Sequence, residues 1–306
     1  MTMMNIKIVK RVLPVAVVVV VAAVLFALNR YHGIYDRYSW KNHIQEQAEI
    51  KLNGEVTRIQ KIIMSIEQIP RNLSYVLEFS RTEKEHINFL LEAIVQNNAE
   101  VFGTCIAFEP YAFDKDTMYY APYLFKKNGT YVYSDPTDSS DHYFNSDWYL
   151  IPKVLKKPVW IEPYYDVGES SGKIVLTTYS VPFYSFNGTG EVFKGIIAVD
   201  ISLDWLSKLV SSIKLIDSSY TLLVSESGTI LSSPNPEWPY NESVFSLAVE
   251  LDLPRLREVG RDLQKGNSGF VNIGKLDKKR DWWVYYMPIP ENKWGLLLLV
   301  PETQNF

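Results

Sequence analysis

Cysteine is almost absent: Cys105 is the only one in 306 residues. An intrachain disulfide is therefore excluded, and oxidising surroundings neither help nor harm the fold. Four histidines stand at no paired spacing and no second cysteine accompanies them, which excludes the usual zinc motifs; no metal or cofactor is expected. Neither charge sign dominates. With 31 basic against 35 acidic residues the net charge is −4, and no lysine or arginine stripe crosses the globular part, so nucleic acid is not an expected partner. A nucleophile elbow, a glycine-rich phosphate loop and a zinc-protease motif are missing too. Catalysis would have to rest on acid/base pairs drawn from Glu162, Asp166, Asp200 and Asp204, as in glycoside hydrolysis. Acidic residues are common enough that some such pair always exists, and the expectation is a non-enzyme.

What the chain does have is apolar and aromatic surface: 47% hydrophobic residues, with 20 tyrosines and 8 tryptophans. That content supports real cores, and the length fits two domains of roughly 100 to 150 residues each. Cys105 lies in the apolar run Val101-Phe-Gly-Thr-Cys-Ile-Ala-Phe108, which favours an inert core residue over a reactive thiol.

Val12 to Leu28 carries no charge and would cover roughly 25 Å as a helix, the short end of a membrane span. Lys7, Lys10 and Arg11 precede it, so residues 1–11 are expected in the cytoplasm and the remainder outside. A cleaved signal peptide is the alternative. The run ends Phe26-Ala-Leu-Asn29 without a small-x-small cleavage site, and an uncleaved anchor over 12–28 is the better reading. From 29 to 80 apolar residues recur at Ile44, Ala48, Leu52, Val56, Ile59, Ile63 and Ile66, one stripe along a stalk helix. The stripe suits packing on the chain's own sheet or on a second copy in a homodimer. Thr82 to Asn98 should be a second helix opened by a Thr82–Glu85 capping box.

Strand chemistry begins at Val101. Leu124 to Tyr133 reads as a hairpin about Asn128-Gly129, and Lys173–Tyr184 and Val192–Ile201 read as neighbouring strands joined through Asn187-Gly188. A short helix follows Asp147, another covers Leu203 to Ile213, and Asp217-Ser-Ser marks a boundary. Beyond it, Tyr220 to Ser232 gives two strands, Ser243 to Leu263 is mainly helical, and strands follow from Gly269, Asp281 and Trp294. Helix, strands, connection, strands thus occurs twice, which predicts an α+β chain of two units, each an antiparallel sheet flanked by helices. Rings and carboxylates from Tyr143 to Trp205 come within reach of one another only if the strands gather them, as the wall of a small-molecule pocket.

The order of Asp147-Trp-Tyr149, Trp160-Ile-Glu-Pro-Tyr-Tyr-Asp166, Ile174–Tyr184, Gly195-Ile-Ile-Ala-Val-Asp200, Ser225-Glu-Ser-Gly-Thr-Ile-Leu231 and Tyr285-Tyr-Met-Pro…Trp294-Gly-Leu-Leu-Leu-Leu-Val-Pro301 resembles the double Cache family, extracytoplasmic sensor domains of prokaryotic receptors. The resemblance, over roughly residues 30 to 302, implies tandem Cache/PAS-like modules on a long N-terminal helix continuous with a transmembrane anchor. A membrane-distal module (81–213) would hold the ligand and a membrane-proximal module (214–302) would follow. It implies an inner-membrane receptor; if the chain continues past Phe306, a second span and an output module, such as a kinase or methyl-accepting segment, are expected there, and a stand-alone form is the alternative. In the amino-acid-binding branch, an arginine stands two before a Trp-Tyr pair, followed by Tyr-x-Asp and a later Asp. Trp148, Tyr149, Tyr164, Asp166 and Asp200 match; Ser146 replaces the arginine, and Tyr143 precedes it. A serine cannot supply the guanidinium fork that a ligand carboxylate needs. The expected ligand is accordingly an amine or other cation rather than a plain amino acid, held by carboxylates and a partial aromatic cage. Two bland alternatives stay open: Trp148 and Tyr149 as core with Asp200 capping the next helix, and an adhesive ectodomain with no ligand.

Overall fold

Thr2–Phe79 forms one continuous helix, α1, in the computed structural model, which describes residues 2–79, 83–135, 143–166, 174–186, 188, 190–277 and 279–303, with side chains from residue 20 onward. No helix among the described residues is long and apolar enough to cross a membrane. Val12 to Val19, the first half of the expected span, lie outside the residues whose side chains are described. The apolar stripe on α1 is buried throughout: Ile44, Ala48, Leu52, Val56, Ile59, Ile63 and Ile66, extended by Leu73 and Leu77. It is covered by the chain's own sheets.

The first sheet has seven strands. Gly103–Phe108 (β1), Tyr123–Lys127 (β2), Thr130–Ser134 (β3), Val159–Trp160 (β4), Tyr164–Asp166 (β5), Ile174–Phe186 (β6) and Glu191–Ser202 (β7) pair antiparallel in the order β3-β2-β1-β7-β6-β4, with β5 also on β6. The β2–β3 hairpin turns at Asn128 (φ 50) and Gly129 (φ 78), the two positive φ values that a two-residue type I′ loop needs. Alternation sorts the strands. On β7, Ile197, Val199 and Ile201 enter the core shared with α1, while Ile196, Ala198 and Asp200 face the other way. The helix Lys84–Asn97 (α2) packs against the same core through Ile87, Leu91 and Val95. Its N-cap is Glu83, with no side-chain cap bond; Thr82, on which the expected capping box rests, lies outside the described residues, as does Asn187. A 3-10 turn, Tyr143–Asn145, and the helix Asp147–Leu155 (α3) cover the opposite face.

After Leu203–Ser211 (α4) the second sheet runs β10-β11-β12-β8-β9, from Tyr220–Val224 (β8), Ile230–Ser232 (β9), Gly269–Gly274 (β10), Trp282–Pro288 (β11) and Gly295–Pro301 (β12). Val244–Glu250 (α5) and Pro254–Gln264 (α6) lie on one face and α1 on the other. This explains the unbroken apolar run in β12: Leu296, Leu298 and Val300 meet the stalk core, and Leu297 and Leu299 meet α5 and α6. Both faces are buried, so no polar residue alternates in.

The sheets meet beside α1. Trp160 Nε1 donates to Glu67 Oε1 at 2.8 Å, and its ring lies 5.1 Å from Tyr179 and 5.0 Å from Trp294 of the second sheet's β11–β12 loop. Glu67 is 8% exposed, and burial raises its pKa. Trp160→Phe keeps an aromatic ring but leaves this carboxylate with Arg71 alone, at 3.8 Å. A loss of about 1–3 kcal/mol is expected, read as a lower urea midpoint at unchanged slope.

Candidate functional site

The face of the first sheet away from α1 is built from small residues. One rung across it reads Phe125, Gly103, Asp200, Thr178, and the next reads Tyr123, Cys105, Ala198, Ser180. Gly103 matters because a Cβ there would stand 2.6 Å from Tyr123 Oη. With only hydrogen at that point, the Tyr123 ring leans over the floor toward Asp200. Both Tyr123 Oη and Ser180 Oγ are enclosed; Tyr123 Oη is directed at the Asp200 carboxyl, without ideal hydrogen-bond geometry, and Ser180 Oγ has no hydrogen-bond partner. Between them lie only Cys105 and Ala198.

Asp200 is 5% exposed and has no ion-pair partner among the described residues. Thr178 Oγ1 donates to its Oδ1 at 2.6 Å, and Tyr164 Oη lies 2.7 Å from the same threonine oxygen. Because the threonine's one proton is given to Asp200, Tyr164 must be the donor in that second bond. The result is a polarised chain, tyrosine to threonine to carboxylate, whose members strengthen one another. Burial pushes the Asp200 carboxyl up to about 7, and the nearby charge of Asp166 adds to the rise; the hydroxyls of Thr178, Tyr123 and Tyr164 pull it down. Cys105, in the middle of the floor, is buried, and its thiol is pushed well up by burial and then by Asp200. It is an inert core thiol.

An aromatic wall rises on one side. Tyr143 and Tyr149 meet edge to face at 5.4 Å, and Trp148 lies 6.0 Å from Tyr149. Their hydroxyls are spoken for: Tyr143 Oη donates to the Phe108 carbonyl, and Tyr149 Oη donates to Glu109 Oε2 at 2.6 Å. Lys153 Nζ completes that outer cluster, 2.7 Å from Glu109 Oε1.

Residues 87–208 match the family described as methyl-accepting chemotaxis protein-like, first PDC sensor domain. That stretch is thus similar to a PDC-type sensor module. Over 122 aligned residues the chain is similar to methyl-accepting chemotaxis protein PscA of Pseudomonas syringae pv. tomato (strain ATCC BAA-871 / DC3000), 30% identical over 37% of this chain and 18% of that protein. The match therefore spans less than a fifth of the curated relative. Among solved structures, the extracellular domain named for the histidine kinase mmHK1S-Z3 superposes with a TM-score of 0.71 at 25% identity, over 83% of this chain and 95% of that one. The ligand-binding domain of the Pseudomonas aeruginosa PAO1 amino acid chemoreceptor PctC, in complex with GABA, shares the fold: TM-score 0.56, 18% identity, 85% and 99% covered.

Within residues 87–208, Tyr164 and Asp200 meet at Thr178, and Asp166 is near enough to Asp200 for its charge to be felt there. Tyr143, Trp148 and Tyr149 form the adjoining wall, linked to the acids through Cys105, but the two tyrosine hydroxyls serve the scaffold. Asp200 does not cap α4: the cap is Ser202, whose Oγ accepts from Trp205 N. Ser146 is the half-buried N-cap of α3, without a side-chain cap bond. Of the other acids, Glu162 is exposed and turns to the second sheet, accepting from Ser227 N at 3.4 Å, and Asp204 is exposed on α4. Neither joins the Asp166–Asp200 pair. Tyr123, Thr178, Ser180 and Gly103 were not legible as site residues; the one available signal was the polar cluster Thr177, Thr178 and Ser180 in a mostly apolar strand.

Proposed function

We propose that the chain is the extracytoplasmic sensing region of a membrane-bound signal-transduction receptor and that its first sheet binds a small amine or other cation. The single observation behind the ligand class is Asp200: a buried carboxylate beside a second one, without a cationic partner among the described residues. An ammonium group entering there would ionise Asp200 and draw both acids toward itself, and the orphan hydroxyl of Ser180 would take up a polar tail. Relatives with chemoreceptor and kinase names support the sensory role, and the PctC–GABA complex supports a small ligand bearing an amine. In this reading the run 12–28 is the anchor, residues 1–11 are cytoplasmic, and the exposed stripe Tyr31, Ile34, Tyr35 and Tyr38 on α1 is where a second stalk packs.

The test is a thermal-shift series on the full chain in detergent with small amines, amino acids, carboxylates and nucleobases. A ligand at a hundred times its Kd stabilises by about 2.7 kcal/mol, an easily read shift. Amines should raise the melting temperature. A panel in which only carboxylates or nucleobases do so sinks the cation assignment, and one in which nothing does favours a ligandless ectodomain.

A further inference from the structure

A cavity of about 190 Å³ lies where α1, the first sheet and the β11–β12 loop meet; Thr177 and Tyr179 of β6 line it, whereas Thr178 between them faces Asp200 on the other side of the sheet. That is smaller than the several hundred Å³ of typical drug-sized sites and suits a molecule of a few heavy atoms. Two of its lining side chains are more than nine-tenths buried and carry unsatisfied polar atoms, Asn292 Nδ2 and Tyr179 Oη. The orientation of the Asn292 amide is fixed, because its Oδ1 accepts from Trp294 N at 3.1 Å, so the NH2 end is the free one.

The wall carries four carboxylates, Glu67, Glu162, Glu226 and Glu291, and three cations, Arg71, Lys157 and Lys293. Every carboxylate on the wall already accepts a hydrogen bond: Glu67 from Trp160, Glu291 from Gln60, Glu226 from Lys293 and Glu162 from Ser227. The donors are not used up. Arg71 sits over the Tyr179 ring and reaches Glu67 only at 3.8 Å, beyond hydrogen-bond range. Lys157 forms no ion pair among the described residues. With each carboxylate held by a donor of the protein, the uncommitted groups at this junction are the donors Asn292 Nδ2, Tyr179 Oη, Arg71 and Lys157, which an acceptor-rich group would satisfy. We propose that this junction is a second binding site and that it takes a short carboxylate, from acetate to a four-carbon dicarboxylate. The guanidinium of Arg71 and the ammonium of Lys157 meet the charge at the mouth. Asn292 Nδ2 and Tyr179 Oη donate from the buried end. Because the walls come from the stalk and both sheets, an occupant ties the three together. This does not depend on how the Asp200 face is used.

Isothermal titration of the full chain in detergent with sodium acetate and sodium succinate, at matched ionic strength and neutral pH, tests it. Saturable binding is expected at concentrations on the order of millimolar or below. The double variant Arg71→Gln/Lys157→Gln, half-buried at 71 and exposed at 157, should weaken it by about tenfold or more. Asp200→Asn should leave it unchanged, which separates this site from the first sheet's face. Absence of saturable heat with either carboxylate overturns the proposal. So does undiminished binding in the double variant, loss of binding in Asp200→Asn, or an equal response to sodium chloride.

Discussion

Replacing Asp200 with Asn should raise the melting temperature of the unliganded protein at pH 8 and erase most of the difference at pH 4. Asp200 is buried without a cation partner among the described residues, and its carboxyl is pushed up to about 7 from an ordinary 3.8. A raised acid favours the fold when protonated, so its contribution is fully present below the unfolded pKa and is lost as pH rises through about 7. At pH 8 the folded protein carries a buried anion that the unfolded chain hydrates freely, a cost of up to about 4 kcal/mol. Asn keeps the shape, can still receive the Thr178 hydroxyl bond through its carbonyl oxygen, and removes the charge. At roughly 2–4 °C per kcal/mol, a gain of several degrees is expected at pH 8. The same change should weaken an amine ligand by more than about tenfold, because the charge pair is gone. Melting curves of both proteins at pH 4, 6 and 8 decide it: a variant that melts lower at pH 8 would mean that the carboxylate is already paired with a cation. The opposite signs, better fold and worse binding, are the mark of a residue kept for its ligand rather than for its stability.

How far residues could be placed from the chain alone follows from the period and range of each signal. The stalk was legible because seven apolar residues from Ile44 to Ile66 repeat at helical spacing, and all seven are buried. The β2–β3 turn was legible because Asn128-Gly129 is a local device. Asp200 was legible as an odd polar residue in an apolar strand, and Tyr164 with Asp166 through the family resemblance. Tyr123, Thr178 and Gly103 were not, since each reaches the site through pairing between distant segments. β1 lies between β2 and β7, so Gly103 meets Asp200 from across ninety-odd positions, and no pattern within β1 announces that neighbour. The hydroxyls of Tyr143 and Tyr149 were beyond reach for the same reason, because their acceptors, the Phe108 carbonyl and Glu109, lie some forty residues upstream.

Gly195 is the position where a single methyl should do most harm. It sits in β7 opposite Phe108 of β1 on one side and Phe183 of β6 on the other, at the middle of the seven-stranded sheet. A Cβ on Gly195 would stand 2.1 Å from the Ala107 carbonyl oxygen and 2.9 Å from Phe108 Cα, both backbone, and 2.9 Å from Phe183 Cε1. Backbone atoms locked in a ladder cannot step aside as a flexible side chain would, so β1 and β7 must part. Those are the two strands that carry Gly103, Cys105, Ala198 and Asp200, and their separation opens the floor of the site as well as the core. Gly195→Ala should therefore cost more than about 4 kcal/mol, at the far end of the single-substitution range, and yield little folded protein. Gly190 is the control. It shares the φ of 158°, yet a Cβ there meets nothing within 4 Å. Gly190→Ala should then cost only the backbone preference, about 1–2 kcal/mol. Chemical denaturation of the two variants separates packing from backbone strain: similar losses would show that the conformation itself, and not the close approach of β1, requires glycine at 195.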